Sequence, residues 1–183
     1  MEETSLINSI ITGDEGAFRT FVDKYSVLVF RVIVSFGIRR EDAEDLSQEV
    51  FIDVYHNIKK FRKESEISTW LYRIAINKTI NHIKKNKQPA WTGKSADDIA
   101  DMDNYVQVES SETKFVSEEQ RVILYNSINR LSKNQKIAFT LNKLDELSYK
   151  EIAVIMNISV SSVESLLHRA KKNLQKSLLN FFK

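Results

Sequence analysis

Tyr149-Lys150-Glu151-Ile152-Ala153-Val154-Ile155-Met156-Asn157-Ile158-Ser159-Val160-Ser161-Ser162-Val163-Glu164-Ser165-Leu166 is the stretch that decides the fold, because its spacing predicts two short helices packed across a tight turn. Ile152 and Met156 lie four apart on the first helix, Ile158 follows the turn, and Val163 and Leu166 lie three apart on the second. All five can meet in one small core. Ala153 falls where the helices cross, a place that tolerates only a small side chain. Ser159 is placed to cap the second helix by accepting from an unpaired backbone N–H. Asn157 stands where such turns often carry glycine, and asparagine accepts the left-handed conformation better than other non-glycine residues.

A helix-turn-helix of this kind can place its second helix in the DNA major groove. Ser161, Ser162, Glu164, Ser165 and His168 then face base edges, and Arg169, Lys171, Lys172 and Lys176 supply charge for the phosphates. An ordinary helical hairpin has similar apolar spacing, so this motif alone leaves both readings open.

Working outward, the 183 residues include one proline and four glycines and are 42% hydrophobic, which points to an all-α chain of one medium or two small domains. There is no cysteine, hence no disulfide framework or thiolate metal site, and the three histidines are scattered. No cofactor is expected, and the cysteine usage suits a reducing cytoplasm. Met1 to Ile11 does not read as a secretion signal, and no apolar run approaches the roughly twenty residues that cross a bilayer.

The net charge of +2 hides a strong segregation. Lys59 to Lys87 holds nine Lys or Arg residues against only Glu64 and Glu66, and Val116 to the end holds eleven cations against six acids. Between them, Trp91 to Lys114 carries Asp97, Asp98, Asp101, Asp103, Glu109 and Glu112 with little apolar periodicity. We therefore expect two helical domains, residues 1–89 and 116–183, joined by a flexible acidic linker over 90–115.

Within the first domain, Phe18, Phe21, Val22, Tyr25, Leu28, Val29, Val32 and Ile33 recur at core-helix spacing as far as Gly37. The next helix, Asp42 to about Lys60, puts Ala43, Leu46, Val50, Val54 and Ile58 on one face and Asp42, Asp45, Glu49, Asp53 and His56 on another. That acidic stripe is either a solvated face or a surface for a basic protein. A third helix begins near Ser68, after the loop Phe61-Arg62-Lys63-Glu64-Ser65-Glu66-Ile67, with Tyr72, Ile76, Ile80 and Ile83 as its core stripe. Trp70, Arg73, Asn77, Asn81 and Lys84 form a separate line without an acid. Aromatic, amide and cationic groups in such a line suit single-stranded nucleic acid, although a tryptophan at a helix start also serves as core.

Four motifs in order, Asp42-Ala43-Glu44-Asp45-Leu46-Ser47-Gln48-Glu49-Val50-Phe51, Ser68-Thr69-Trp70-Leu71-Tyr72-Arg73-Ile74-Ala75, Leu147-Ser148-Tyr149-Lys150-Glu151-Ile152-Ala153 and Leu167-His168-Arg169-Ala170-Lys171-Lys172, resemble the extracytoplasmic-function (ECF) sigma factors of bacteria. The resemblance implies a non-enzymatic subunit that joins core RNA polymerase, directs it to promoters and helps open the duplex. It assigns Asp45, Gln48, Glu49, Phe51 and Asp53 to the coiled coil of the polymerase beta-prime subunit. Phe61, Arg62, Lys63, Trp70, Arg73, Asn77, Lys78, Asn81 and Lys84 would receive the melted promoter strand, where a base is flipped out against its stacking energy. Ser161, Ser162, Glu164, Ser165, His168, Arg169 and Lys172 would read the upstream element as duplex, while the polymerase beta flap meets the same domain elsewhere. An anti-sigma factor is the further partner implied.

The acidic linker would then be either a polyanion mimic or a spacer. Glu164 and Leu166 depart from the family's frequent basic residues, and Glu164 could accept from cytosine N4 or simply repel phosphate. The alternative to a polymerase subunit is a helix-turn-helix regulator that never joins the core enzyme.

Overall fold

A computed structural model describes residues 3–85, 118–143 and 145–179, and among these every regular element is helical. The expected linker over 90–115 lies outside the described residues. The helices are α1 (Glu3–Ile11), α2 (Glu15–Ser35), α3 (Arg40–Asn57), α4 (Ile67–Lys85), α5 (Glu118–Asn129), α6 (Lys133–Lys143), α7 (Tyr149–Met156) and α8 (Val160–Leu179), with a 3-10 turn at Ile58–Lys60 after α3. They fall into two compact units, α1 to α4 and α5 to α8. No described helix is long and apolar enough to cross a membrane.

In the first unit, Asp14 starts α2 by accepting the Ala17 N–H at 3.0 Å, and Gly13 makes the preceding turn at φ +94°, a conformation an L side chain resists. Phe21, Tyr25, Val29 and Ile33, four apart, are buried, whereas Phe18, Val22 and Leu28 are only half-buried. Rings join α2 to α3: Phe18 meets Tyr55 edge-on at 4.9 Å between centroids and Phe21 meets Phe51 at 6.4 Å. Glu3 ties α1 to α2, accepting from the Tyr25 hydroxyl and from Lys24 at 3.0 Å. The hydroxyl bond lowers the Glu3 pKa despite desolvation.

On α3 the expected stripe Ala43, Leu46, Val50, Val54 and Ile58 is buried throughout. On α4 the buried line is wider than the expected one. Ile67, Leu71, Ala75 and Thr79 join Tyr72 and Ile76 in the core, while Ile80 and Ile83 are half-buried. Thr79 enters because its hydroxyl donates to the Ala75 carbonyl at 2.8 Å, so no polar group is left unmet.

In the second unit α8 is the central element, packed on α5, α6 and α7. Its buried residues Val163, Leu167, Ala170 and Leu174 run down one side within an arc of about 60° at 100° per residue. Leu166 lies about 60° from Val163 on the flank, which is why Leu167 and not Leu166 fills the core, Leu166 being half-buried. Across the turn, Ile152, Ala153 and Ile155 are buried. Met156 and Ile158, expected in that core, bracket the turn and are half-buried. Asn173 donates to Gln135 at 3.0 Å, and the Ser127 and Ser177 hydroxyls pair at 2.9 Å, adding polar ties from α8 to α6 and α5.

Candidate functional site

The outer face of α3 presents Asp45, Gln48 and Glu49 exposed and Asp53 half-buried. Phe51, expected on this face, is instead buried with its ring against Phe21, because it projects toward α2 and backs the acidic face from behind. Sequence reasoning missed Ile52, whose side chain is 55% exposed within the acidic arc. Its signal was available: an apolar residue between Glu49 and Asp53 but off the core stripe is an anchor candidate for a protein surface. Asp42 is turned to Arg39 at 3.1 Å, so one end of the acidic stripe is neutralised locally, and Glu44, off the stripe, pairs with Arg40 at 3.1 Å.

Lys78 also departs from its expected place. Taking 100° per residue, Trp70, Arg73, Asn77, Asn81 and Lys84 share an arc of about 80°, and Lys78 falls beyond its edge, toward α3. Its ammonium there lies 2.7 Å from Asp53 and 3.2 Å from Glu49. Burial of Lys78 pulls its pKa down, but the bonds to Asp53 and Glu49 outweigh this and hold it above the ordinary lysine value. The lysine thus belongs to the acidic face, whose charge it reduces.

On the α4 arc itself, Asn77, Asn81 and Lys84 are exposed and Trp70 and Arg73 half-buried. The Phe61 ring packs 5.6 Å from Trp70 at 46°, so the loop before α4 is anchored on the tryptophan. Arg62 and Lys63 are exposed beside it. Lys63 takes a left-handed conformation, φ +57°, and its ammonium donates to Asn8 at 3.2 Å. Aromatic surface, amides and cations are therefore contiguous, the combination that stacks bases and tracks a phosphate chain.

In the second unit, α7 opens with a reciprocal cap. The Glu151 N–H reaches the Ser148 hydroxyl at 3.3 Å, and the Ser148 N–H donates to the Glu151 carboxylate at 2.8 Å. The Ser148 hydroxyl also donates to the Glu151 carboxylate at 2.6 Å, and this bond, followed by the one from the Ser148 N–H, lowers the Glu151 pKa. The Ser-x-x-Glu signature that announces this cap was overlooked in the sequence. Asn157 ends α7 at φ 53°, ψ 51°, the left-handed conformation expected of it. Ser159 caps α8, accepting the Ser162 N–H at 3.2 Å.

Beyond that cap, Ser161, Ser162, Glu164, Ser165, His168, Arg169, Lys171 and Lys172 are all exposed. The first nine residues of α8 carry no lysine or arginine; positive charge begins at Arg169, whose Nε donates to the Ser165 carbonyl at 3.2 Å. The helix therefore offers hydroxyls and one carboxylate first, then positive charge. Among the described residues no cluster of three or more His, Cys, Asp or Glu could hold a metal.

The chain is similar to proteins of one known family. Residues 21–88 match the family model for sigma-70 region 2, and residues 121–174 match that for sigma-70 region 4. The chain is 32% identical over 181 residues to the RNA polymerase sigma-H factor of Pseudomonas aeruginosa, covering 97% of this chain and 94% of that protein. It is 32% identical over 182 residues to the ECF RNA polymerase sigma-E factor of Haemophilus influenzae, covering 97% and 96%. It is 33% identical over 171 residues to that of Escherichia coli, covering 91% and 89%. In fold it is similar to CnrH, solved with the cytosolic domain of CnrY, at TM-score 0.71 and 21% identity over 97% of both chains. It is also similar to RpoE of Bartonella quintana, solved with the anti-sigma factor NepR, at TM-score 0.64 and 22% identity over 88% of this chain and 96% of that one.

Proposed function

The chain belongs to the extracytoplasmic-function family of RNA polymerase sigma factors, and on that premise we propose which surface performs each part of the work. A sigma factor of this type directs polymerase to promoters and starts transcription; it is a non-enzymatic subunit, and the polymerase makes the bonds.

The acidic face of α3, Asp45, Gln48, Glu49 and Asp53 with Ile52 at its centre, docks the coiled coil of the beta-prime subunit. The loop from Phe61 and the α4 arc through Trp70, Arg73, Asn77, Asn81 and Lys84 hold the melted strand. Removing a base from its stack costs a few kcal/mol, which the aromatic pair and the cations offset. The exposed side of α8 reads the upstream element as duplex, where major-groove edges distinguish all four base pairs, and the beta flap meets the second unit on another side. An anti-sigma factor, such as the one that holds RpoE of Bartonella quintana, covers the polymerase-binding surfaces until a signal removes it. The chain acts in the cytoplasm, where the polymerase is.

The observation that carries this assignment is the segregation of charge within one small unit. α3 presents carboxylates and the α4 arc presents aromatic, amide and cationic groups without an acid, so a basic protein and a polyanion can be held side by side. The test is transcription by bacterial core polymerase from a promoter library, with and without the purified chain, sequencing transcript starts. New starts sharing two spaced upstream motifs are expected from the native chain. Replacing Asp45, Gln48 and Glu49 by alanine should abolish core binding with helical content intact; undiminished binding would refute the docking surface.

A further inference from the structure

We infer that Glu164 determines specificity, reading a cytosine in the upstream duplex element; this rests on the assignment of α8 to that element. Glu164 lies one turn into α8, and recognition helices contact base edges with their N-terminal residues. It is exposed and shares an arc of about 100° with Ser161, Ser165 and His168. It is the only acid between Val160 and Leu179. Among the described residues its carboxylate holds no hydrogen bond or ion pair, and its i+4 neighbour on the helix is His168 rather than a lysine or arginine. The carboxylate thus reaches DNA with its charge uncompensated.

An uncompensated carboxylate beside a polyanion is repelled unless the groove supplies a donor. The major groove offers two kinds, cytosine N4 and adenine N6. Adenine places its N7 acceptor next to the N6 donor, so a group that only accepts meets repulsion there. Cytosine presents its amino group with no acceptor on the same base edge. Glu164 therefore selects cytosine, and the surrounding serine hydroxyls, which both donate and accept, leave the discrimination to the carboxylate.

The experiment uses holoenzyme assembled from core polymerase and the full chain, as wild type, Glu164→Gln and Glu164→Ala, on a library randomised over the upstream element. Helical content and thermal unfolding of the three proteins are compared first, and an exposed position should leave both unchanged. Wild type should prefer cytosine at one position by roughly 5- to 150-fold, the range of a good base contact. Glutamine, which donates and accepts, should move that preference to adenine, and alanine should flatten it while neighbouring positions keep theirs. An element that keeps the same letters in all three proteins, with both variants merely binding more tightly, would mean repulsion only and overturn the inference. Absence of any upstream element with wild type would sink the α8 assignment itself, and the inference with it.

Discussion

Replacing Lys78 by glutamine should weaken the first unit and at the same time tighten its hold on polymerase. The lysine bridges Asp53 at 2.7 Å and Glu49 at 3.2 Å, with its own side chain 24% exposed and the acids 43% and 58% exposed. Each such pair is worth about 0.3–0.5 kcal/mol, and removing the cation also leaves two carboxylates four apart on α3, a repulsion of about 0.2–0.5 kcal/mol. The loss of stability is then about 1 kcal/mol.

The same change uncovers two negative charges on the proposed docking face. A partner cation approaching Glu49 or Asp53 comes within about 6 Å of the lysine, where repulsion in water is about 0.7 kcal/mol, or threefold in affinity. Screening at about 0.15 M salt cuts that roughly in half, and at about 0.5 M little remains. Core binding measured by fluorescence anisotropy across a salt series, beside urea unfolding, checks both arms. Weaker core binding by the glutamine variant at low salt would refute the reasoning, since it would place the lysine among the contacts rather than the counter-ions. The raised pKa of Lys78 adds a pH arm: the bridge stabilises fully below the unfolded lysine value near 10.4 and is lost as pH rises through the folded value. Wild type and variant should converge in stability at strongly alkaline pH.

Phe51→Ala should lower stability by about 3–5 kcal/mol through the cavity it leaves, so any loss of core binding should track the unfolded fraction in a denaturant titration, whereas Ile52→Ser should weaken core binding with the fold unchanged. Asn157→Gly should keep or slightly raise the melting temperature, and Asn157→Val should cost about 1–2 kcal/mol because a β-branched residue resists φ 53°; equal effects from both would contradict the left-handed turn. Ser148→Ala should cost about 1 kcal/mol by unmaking the cap of α7. Because the Glu151 pKa is lowered, its share is present above the unfolded value near 4.3 and lost as pH falls through the folded one, so acid titration of the unfolding midpoint should show the wild-type advantage shrinking.

Local chemistry made much of this fold legible. The α3 stripe was readable because large apolar residues repeat there without interruption, and Ser159 and Asn157 were readable because capping and left-handed turns select few residue types. The α4 core was misjudged where Ala75 and Thr79 substitute for large apolar residues, since burial of a threonine depends on its bond to the Ala75 carbonyl. The 163–166 spacing described a plausible helix face, but three neighbouring helices, not local period, set the packed arc of α8 at Leu167. Lys78 was beyond local reasoning altogether: its partners are on another helix, and only the packing of α3 on α4 shows that it neutralises carboxylates.

Both unexpected charges weaken an attraction. Lys78 tempers the acidic face toward a basic protein, and Glu164 tempers α8 toward DNA. A protein binding each partner alone would gain nothing from either. Under the proposed assignment the polymerase holds both units against one promoter, so each contact forms at high effective concentration once the others exist. Affinity then comes from the number of linked contacts, and a single contact can sacrifice strength for discrimination. A carboxylate on the reading helix makes physical sense under that arrangement, because its penalty falls on every duplex while only the matching base offsets it.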